Sequence, residues 1–149
     1  MKLRHMTTSA LALILMAACT EATGVGVEPD ELAGTWTASS FILTSVADPN
    51  VWIDLVAEEG AQMTLVLGAD GTYTFDFTST VEEAEHEEGT YTVSGNIMTV
   101  TPVTPEGLDP EEMGIVRVGD TLTLTMDDEV VFGPGANSEA AVLVIILTR

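Results

Sequence analysis

Along most of the chain, hydrophobic and polar residues alternate with a period of two, which is the pattern of β-strands with one buried face. The clearest run is TYTFDFT at 72–78, where aromatic residues fall on one face and polar residues on the other. The pair Asp70-Gly71 separates this run from QMTLVLG at 62–68. Asp-Gly between two alternating runs predicts a tight β-hairpin.

The same arrangement recurs towards the C-terminus, with Gly95-Asn96 and Gly119-Asp120 between further pairs of alternating runs. Eight candidate strands result, at residues 35–46, 62–68, 72–81, 89–95, 96–103, 114–118, 121–126 and 140–149. Turn signals at this spacing predict an all-β sandwich or barrel. The last run, AAVLVIILTR, is apolar on both faces, as in a strand that is covered on both sides or closes a barrel.

Three stretches depart from the alternation. Residues 49–60 place Val51, Trp52, Leu55 and Val56 at helical spacing, which predicts one short helix or turn, as a lid over one end of a barrel. Residues 104–113 contain two prolines and are predicted to be a loop. Residues 127–139 are also predicted to be a loop, apart from a short extended piece at 129–132.

The N-terminus has the pattern of an export signal. Lys2 and Arg4 precede nine apolar residues at 10–18, a run too short to cross a bilayer, which needs about 20 residues. We interpret residues 1–18 as a signal peptide. Residues 19–31 have no periodicity and are predicted to be a flexible tether, which leaves 32–149 as one domain.

Cys19 stands at the end of this signal. The sequence MAAC at 16–19 resembles the lipobox of bacterial lipoproteins. That resemblance implies cleavage after Ala18, lipidation of Cys19 and anchoring to a membrane, since two or three acyl chains anchor stably. Thr20 follows the cysteine where an Asp would favour the inner membrane, so we expect the outer membrane of the cell envelope. An ordinary signal peptide followed by an unmodified cysteine is the alternative.

The charge balance excludes one class of partner. The full chain carries a net charge of −20, and only Arg117 and Arg149 are basic beyond residue 5, apart from one histidine. Nucleic-acid binding needs clustered Lys and Arg, so nucleic acid is excluded as a partner. With a single cysteine the chain forms no internal disulfide, and its stability has to come from an apolar core.

Nothing in the sequence predicts catalysis. Beyond the signal, the chain has one histidine, His86, and its one cysteine is expected to be acylated, so no Ser-His-Asp or Cys-His set can be assembled. No glycine-rich phosphate loop lies between a strand and a helix. We therefore predict no catalytic residue, no cofactor and no enzymatic activity.

Two acidic clusters are candidate metal sites. EEAEHEE at 82–88, placed at a hairpin tip, could bind Ca²⁺, or a transition metal through His86. The alternative is a solvated hairpin end whose like charges oppose strand-edge aggregation. We favour the second interpretation, and treat Asp127, Asp128 and Glu129 in the same way, because neither cluster has the spacing of a calcium loop.

The chain ends offer a test of barrel closure. In an eight-stranded up-and-down barrel, the first and last strands must pair to remove the sheet edges. Trp36 opens the first strand and Arg149 ends the last, so closure would bring them together. A cation over an indole face contributes about 0.5–2 kcal/mol. We therefore predict that Trp36 and Arg149 close the barrel.

Together these motifs resemble the lipocalins, and more closely the small bacterial lipocalin-like lipoproteins. The resemblance covers residues 16–149 and rests on the order of its motifs: MAAC (16–19), Gly34-Thr35-Trp36, ADGTYT (69–74), GTYTVSGNIM (89–98), GDTLTLT (119–125) and a last strand ending in Arg149. It implies an all-β fold, an eight-stranded up-and-down antiparallel barrel with one short helix, preceded by the signal peptide and tether.

The resemblance also implies a binding function. The residues expected to bind a small apolar ligand are Trp36, Tyr73, Phe75, Phe77 and Tyr91. An eight-stranded barrel is either packed solid or holds one small ligand, so the same rings could simply fill the interior. The negative charge favours neutral or cationic ligands over fatty acids. We expect a monomeric, membrane-anchored binding protein; the alternative is a structural or protein-interaction lipoprotein with a filled barrel.

Overall fold

The computed structural model describes residues 27–80, 83–130 and 138–149. Within these ranges the chain forms nine strands and two short helices. In chain order they are α1 (Pro29–Leu32), β1 (Gly34–Ser45), β2 (Trp52–Asp54), α2 (Leu55–Glu59), β3 (Gln62–Leu67), β4 (Thr72–Thr78), β5 (Glu85–Ser94), β6 (Ile97–Thr104), β7 (Glu111–Val118), β8 (Thr121–Val130) and β9 (Glu139–Thr148). Neither helix is long and apolar enough to cross a membrane.

Eight of the strands form a closed antiparallel barrel. The order of hydrogen-bonded neighbours is β1-β3-β4-β5-β6-β7-β8-β9, and β9 pairs back onto β1. The ninth strand, β2, is three residues long and pairs with β1. The predicted all-β, eight-stranded up-and-down barrel is confirmed, because the closing pair removes the edges that an open sheet would expose.

Strand β1 pairs with β3 and with β9 along different parts of its length. Its first residues, Gly34 to Thr37, pair with β3, and residues 37–45 pair with β9, with a register shift between Ala38 and Ser40. Beyond the part of β1 that pairs with β3, the carboxylate of Asp54 accepts hydrogen bonds from the Phe41 amide at 3.0 Å and the Ser40 hydroxyl at 2.8 Å. Asp54 therefore satisfies polar groups of β1 that no strand covers.

The inward positions of the barrel strands form one apolar core. They alternate with outward threonines and charged residues, as the period of two predicts. Four large side chains from different strands have no exposed surface: Trp36, Met98, Leu122 and Leu147. The predicted hairpin turns are also present, and Gly71 adopts a φ of 80°, which favours glycine.

The boundaries of several elements differ from the prediction. Helix α1 includes three residues of the predicted tether, because Leu32 is fully buried and draws the preceding turn onto the barrel. The helix predicted within 49–60 is confined to α2, and Trp52 lies in β2 with 55% of its surface exposed. There are thus two short helices in the described residues where one was predicted.

The predicted loops are shorter than expected. Strand β7 already begins at Glu111, and β8 continues through Asp127 and Asp128 to Val130. The β8–β9 ladder has ten residue pairs, because backbone pairing continues where the side chains are acidic. The predicted hairpin tip at 82–88 is likewise half strand, since Glu85 to Glu88 pair with β4.

Candidate functional site

The two ends of the barrel are built differently. We call the end where β1 begins and β9 ends the closed end, and the end where β5 and β7 begin the open end. Helix α1 lies at the closed end, where its residues contact Trp36, Tyr91 and Arg149. Acidic residues of β5 and β7 lie at the open end.

A cavity of about 240 Å³ lies inside the barrel, towards the open end. Most of its wall consists of inward apolar side chains from seven of the strands, among them Phe41, Leu65, Tyr73, Phe75, Met98, Val100, Met113, Leu124, Met126, Leu143 and Ile145. Such a lining favours the apolar part of a ligand. The barrel is therefore not packed solid along its whole length.

A second cavity of about 240 Å³ adjoins the first at the open end. The two share Phe41, Phe75 and Glu85, and the second is completed by Phe77 and by Leu55 of α2, among others. The rings of Phe41 and Phe77 meet edge to face with centroids 5.6 Å apart, a favourable aromatic geometry. Helix α2 thus lies at the open end of the barrel, beside the second cavity, and a lid over one barrel end was predicted for this segment.

Tyr73 presents its ring to the cavity and its hydroxyl to a carboxylate. The hydroxyl donates a short hydrogen bond to Glu87. Burial, followed by this hydrogen bond and the charge of Glu87, raises the pKa of Tyr73 above its ordinary value. Gly89 makes the position of the ring possible, because a Cβ there would lie 2.8 Å from Cε1 of Tyr73.

Three glutamates line the cavity, and none of them was predicted to face the barrel interior. Glu85 and Glu87 are the β5 partners of Phe77 and Phe75, so their side chains lie on the same inner face of the sheet. Glu111 reaches the cavity from β7. Loss of hydration, then the charges of Glu87 and Asp128, raises the pKa of Glu111.

One signal in the sequence could have identified two of these glutamates. Tyr91 is an inward residue of β5, and counting back by twos from it through Gly89 reaches Glu87 and Glu85. The acidic cluster concealed this alternation, since a run of charged residues shows no period of its own. Pairing with β4 shows directly that these two carboxylates face inward.

Trp36 and Arg149 make the contact expected from barrel closure. The guanidinium carbon of Arg149 lies 4.5 Å from the centroid of the Trp36 ring. Arg149 Nη1 also donates to the carbonyl oxygen of Ala33 at 3.1 Å, and Trp36 Nε1 donates to that of Leu32 at 2.7 Å. The C-terminal residue therefore joins the first strand and α1 to the end of the barrel.

Of the five aromatic residues predicted to bind a ligand, the structure brings three to the cavities. Tyr73 and Phe75 line the first cavity, and Phe75 and Phe77 line the second. Trp36 and Tyr91 line neither cavity, because they pack at the closed end. The Tyr91 hydroxyl donates to the Gly68 carbonyl oxygen at 2.8 Å, so it is held by the protein and stabilises the fold.

His86 lies on the outer face of β5, away from the cavity. Its Nδ1 is 2.7 Å from Oδ1 of Asp76, and its Nε2 is 3.2 Å from Oε1 of Glu88. These two hydrogen bonds raise the pKa of His86. In the part of the chain that the structure describes, no group of three or more His, Cys, Asp or Glu side chains could hold a metal ion.

Cys19, the predicted lipidation site, lies outside the described residues, as do the predicted signal peptide and most of the tether. A family model described as a lipocalin-like domain matches residues 32–128 of the chain. No curated protein and no solved structure shows significant similarity to it.

Proposed function

Because the chain belongs to the lipocalin-like domain family, we propose that its barrel binds a small apolar or amphipathic molecule and that a lipid on Cys19 anchors the protein in the bacterial cell envelope. The observation that carries the first part is the cavity of about 240 Å³ with an apolar wall. Small-molecule sites are concave and mostly apolar, with a few polar groups that orient the ligand.

The proposed activity is binding without catalysis. His86, the single histidine beyond the signal sequence, lies outside the barrel between Asp76 and Glu88. Tyr73 has its hydroxyl in a hydrogen bond with Glu87, and its raised pKa keeps it protonated at neutral pH. The groups at the cavity are thus suited to orient a ligand.

Two valines provide a matched test of binding. Val100 lines the cavity, whereas Val116 faces outward on β7 with 59% of its surface exposed. Octanol serves as a neutral amphipathic probe in isothermal titration calorimetry with the barrel domain. Val100→Phe fills part of the cavity and is expected to weaken octanol binding at least about tenfold, a loss of ~1.4 kcal/mol. Val116→Phe makes the same change outside and should leave binding unchanged.

The Phe75→Ala substitution distinguishes a cavity wall that binds a ligand from a packed core. Saturable octanol binding that Phe75→Ala weakens supports the proposal. If the unsubstituted domain binds no apolar probe and Phe75→Ala costs about 3–5 kcal/mol, as in a packed interior, the alternative of a filled structural barrel is correct.

The anchor is supported by the sequence MAAC and by the short apolar run before it. Cys19→Ser is expected to leave unprocessed precursor and to abolish partitioning of the mature domain into detergent. Partitioning that the substitution does not change would refute the anchor without affecting the binding proposal.

We propose further that the barrel acts as a monomer, in the outer membrane. Support comes from closure within one chain, since β9 pairs with β1 of the same molecule. Light scattering of the mature domain and fractionation of the two membranes test these points separately.

A further inference from the structure

Carboxylates line the inner wall of the barrel only towards the open end. Glu85, Glu87 and Glu111 belong to the cavity wall, and Asp128 lies with Glu85 at the adjoining cavity. Deeper positions on the same strands are apolar: Tyr91 on β5, Met113 and Ile115 on β7, and Leu122 and Leu124 on β8. The interior therefore changes from apolar to acidic along its length.

Solubility does not require these particular positions to be acidic. The chain carries 24 Asp and Glu, and many lie on the outer surface or in loops, such as Glu88 and Glu106. At this end of the barrel an inward carboxylate loses part of its hydration and meets other negative charges, which costs free energy unless a positive charge compensates. Glu111 shows this cost in its raised pKa.

The described protein supplies no compensating cation at this end. Arg149 lies against Trp36 at the closed end. The Arg117 Nε atom donates to the Gly119 carbonyl oxygen at 3.1 Å, in the turn between β7 and β8, which also belongs to the closed end. His86 points outward between Asp76 and Glu88. The sequence contains no other basic residue after Arg4 and His5.

We propose that Glu85, Glu87 and Glu111 select an organic cation, so that the ligand of this barrel is an amphipathic molecule with an apolar body and a positively charged head. The apolar body lies in the cavity between Tyr73, Phe75 and Leu124, and the head lies among the three carboxylates. This inference rests on the proposed binding function and specifies its ligand class.

The head is organic, and a bare metal ion does not fit this wall. The described residues include no group of carboxylates able to hold a metal. An alkylammonium head needs no fixed coordination sphere. It gains from nearby negative charge at an effective dielectric constant far below that of water.

Three probes with the same alkyl chain test the inference by calorimetry at low salt: octyltrimethylammonium, octanol and octanoate. The domain is expected to bind the cation about tenfold or more tightly than octanol, a difference of ~1.4 kcal/mol or more. Octanoate should bind most weakly. Molar NaCl should reduce the preference for the cation, because the mouth is open to solvent and its charges are screened.

Two double variants remove equal charge from different places. Glu85→Gln/Glu111→Gln removes two inward carboxylates and is expected to lower the ratio of cation affinity to octanol affinity about fivefold or more. Glu88→Gln/Glu106→Gln removes two outer carboxylates and should keep the preference. Circular dichroism checks that both variants retain the fold.

The outcomes separate the two proposals. If octanol binds and the cation binds no more tightly, the charge selectivity is wrong and the binding function stands. Equal loss of preference in both double variants would show that general surface charge attracts the cation, which also overturns the inference. If none of the three probes binds, the proposed binding function fails and the inference fails with it. Displacement of the cation by millimolar CaCl₂, beyond the effect of ionic strength, would show a metal site in place of an organic one.

Discussion

The closed and open ends of this barrel use opposite chemistry on the same strands. At the closed end, one arginine covers one tryptophan, and backbone carbonyls accept the polar hydrogens of Trp36, Tyr91 and Arg149. At the open end, carboxylates face one another around a space that the protein leaves unfilled. Residues that stabilise the fold and residues of the proposed binding site are therefore separated along the barrel axis. Substitutions at the two ends should therefore have different consequences.

The largest expected effect lies at the closed end. Trp36→Ala removes a side chain with no exposed surface and should cost about 3–5 kcal/mol of unfolding free energy. Phe75→Ala, at the cavity wall, should cost about half as much, because part of its ring already faces open space. Urea denaturation followed by circular dichroism measures both. Equal losses would mean that the open end is packed as tightly as the closed end.

The next largest change in stability is expected at Arg149. Arg149→Ala should lower stability by about 1–2 kcal/mol, because it removes the cation–π contact and the hydrogen bond to Ala33. Arg117→Ala is the matched control and should lower stability by less than about 1 kcal/mol, because the half-buried Arg117 side chain loses one hydrogen bond, to the Gly119 carbonyl oxygen. A loss as large for Arg117 as for Arg149 would contradict a specific role in closure.

At the open end, the expected change in the free energy of unfolding is smaller and has the opposite sign. Because the pKa of Glu111 is raised in the folded state, its protonated form is favoured there. The contribution of Glu111 to the free energy of unfolding is fully present below the pKa that this carboxyl has in the unfolded chain. It is lost as the pH rises through the pKa of the carboxyl in the folded protein. Glu111→Gln should therefore stabilise the domain at neutral pH, by less than about 1 kcal/mol because the site is solvent-screened.

The pH dependence checks that sign. The difference in melting temperature between Glu111→Gln and the unsubstituted domain should shrink as pH falls below ~4. Glu106→Gln, in the exposed loop between β6 and β7, should show little difference at either pH. A Glu111→Gln variant that is less stable at neutral pH would mean that this carboxylate has an unrecognised favourable partner.

The smallest effect is spectroscopic and compares one tyrosine from each end. The chain has two tyrosines, and burial raises the pKa of both Tyr73 and Tyr91. Tyrosinate absorbance of the native domain should therefore appear only above pH ~10, the ordinary tyrosine pKa. Titration of Tyr73→Phe and Tyr91→Phe assigns each transition. A tyrosine that ionises near pH 10 while the domain remains folded would contradict its placement.

The sequence determined the barrel because its signals are local. Alternation marked most of the barrel strands, a continuous apolar run marked β9, and glycines in Asp70-Gly71, Gly95-Asn96 and Gly119-Asp120 marked three hairpin turns. Barrel closure then required the chain ends to meet, which placed Arg149 beside Trp36. These steps depend on residue spacing and on the need to pair strand edges, and both can be read from one chain.

Which residues form the cavity depends on contacts between strands that are far apart in the sequence. The inward orientation of Glu85 and Glu87 follows from their pairing with Phe77 and Phe75, a register that a run of acidic residues cannot reveal by itself. The same holds for Trp36 and Tyr91, which were expected at the ligand and instead pack at the closed end. Whether an eight-stranded barrel is filled depends on the summed volumes of side chains from strands far apart in sequence, and packing of that kind has no local signature.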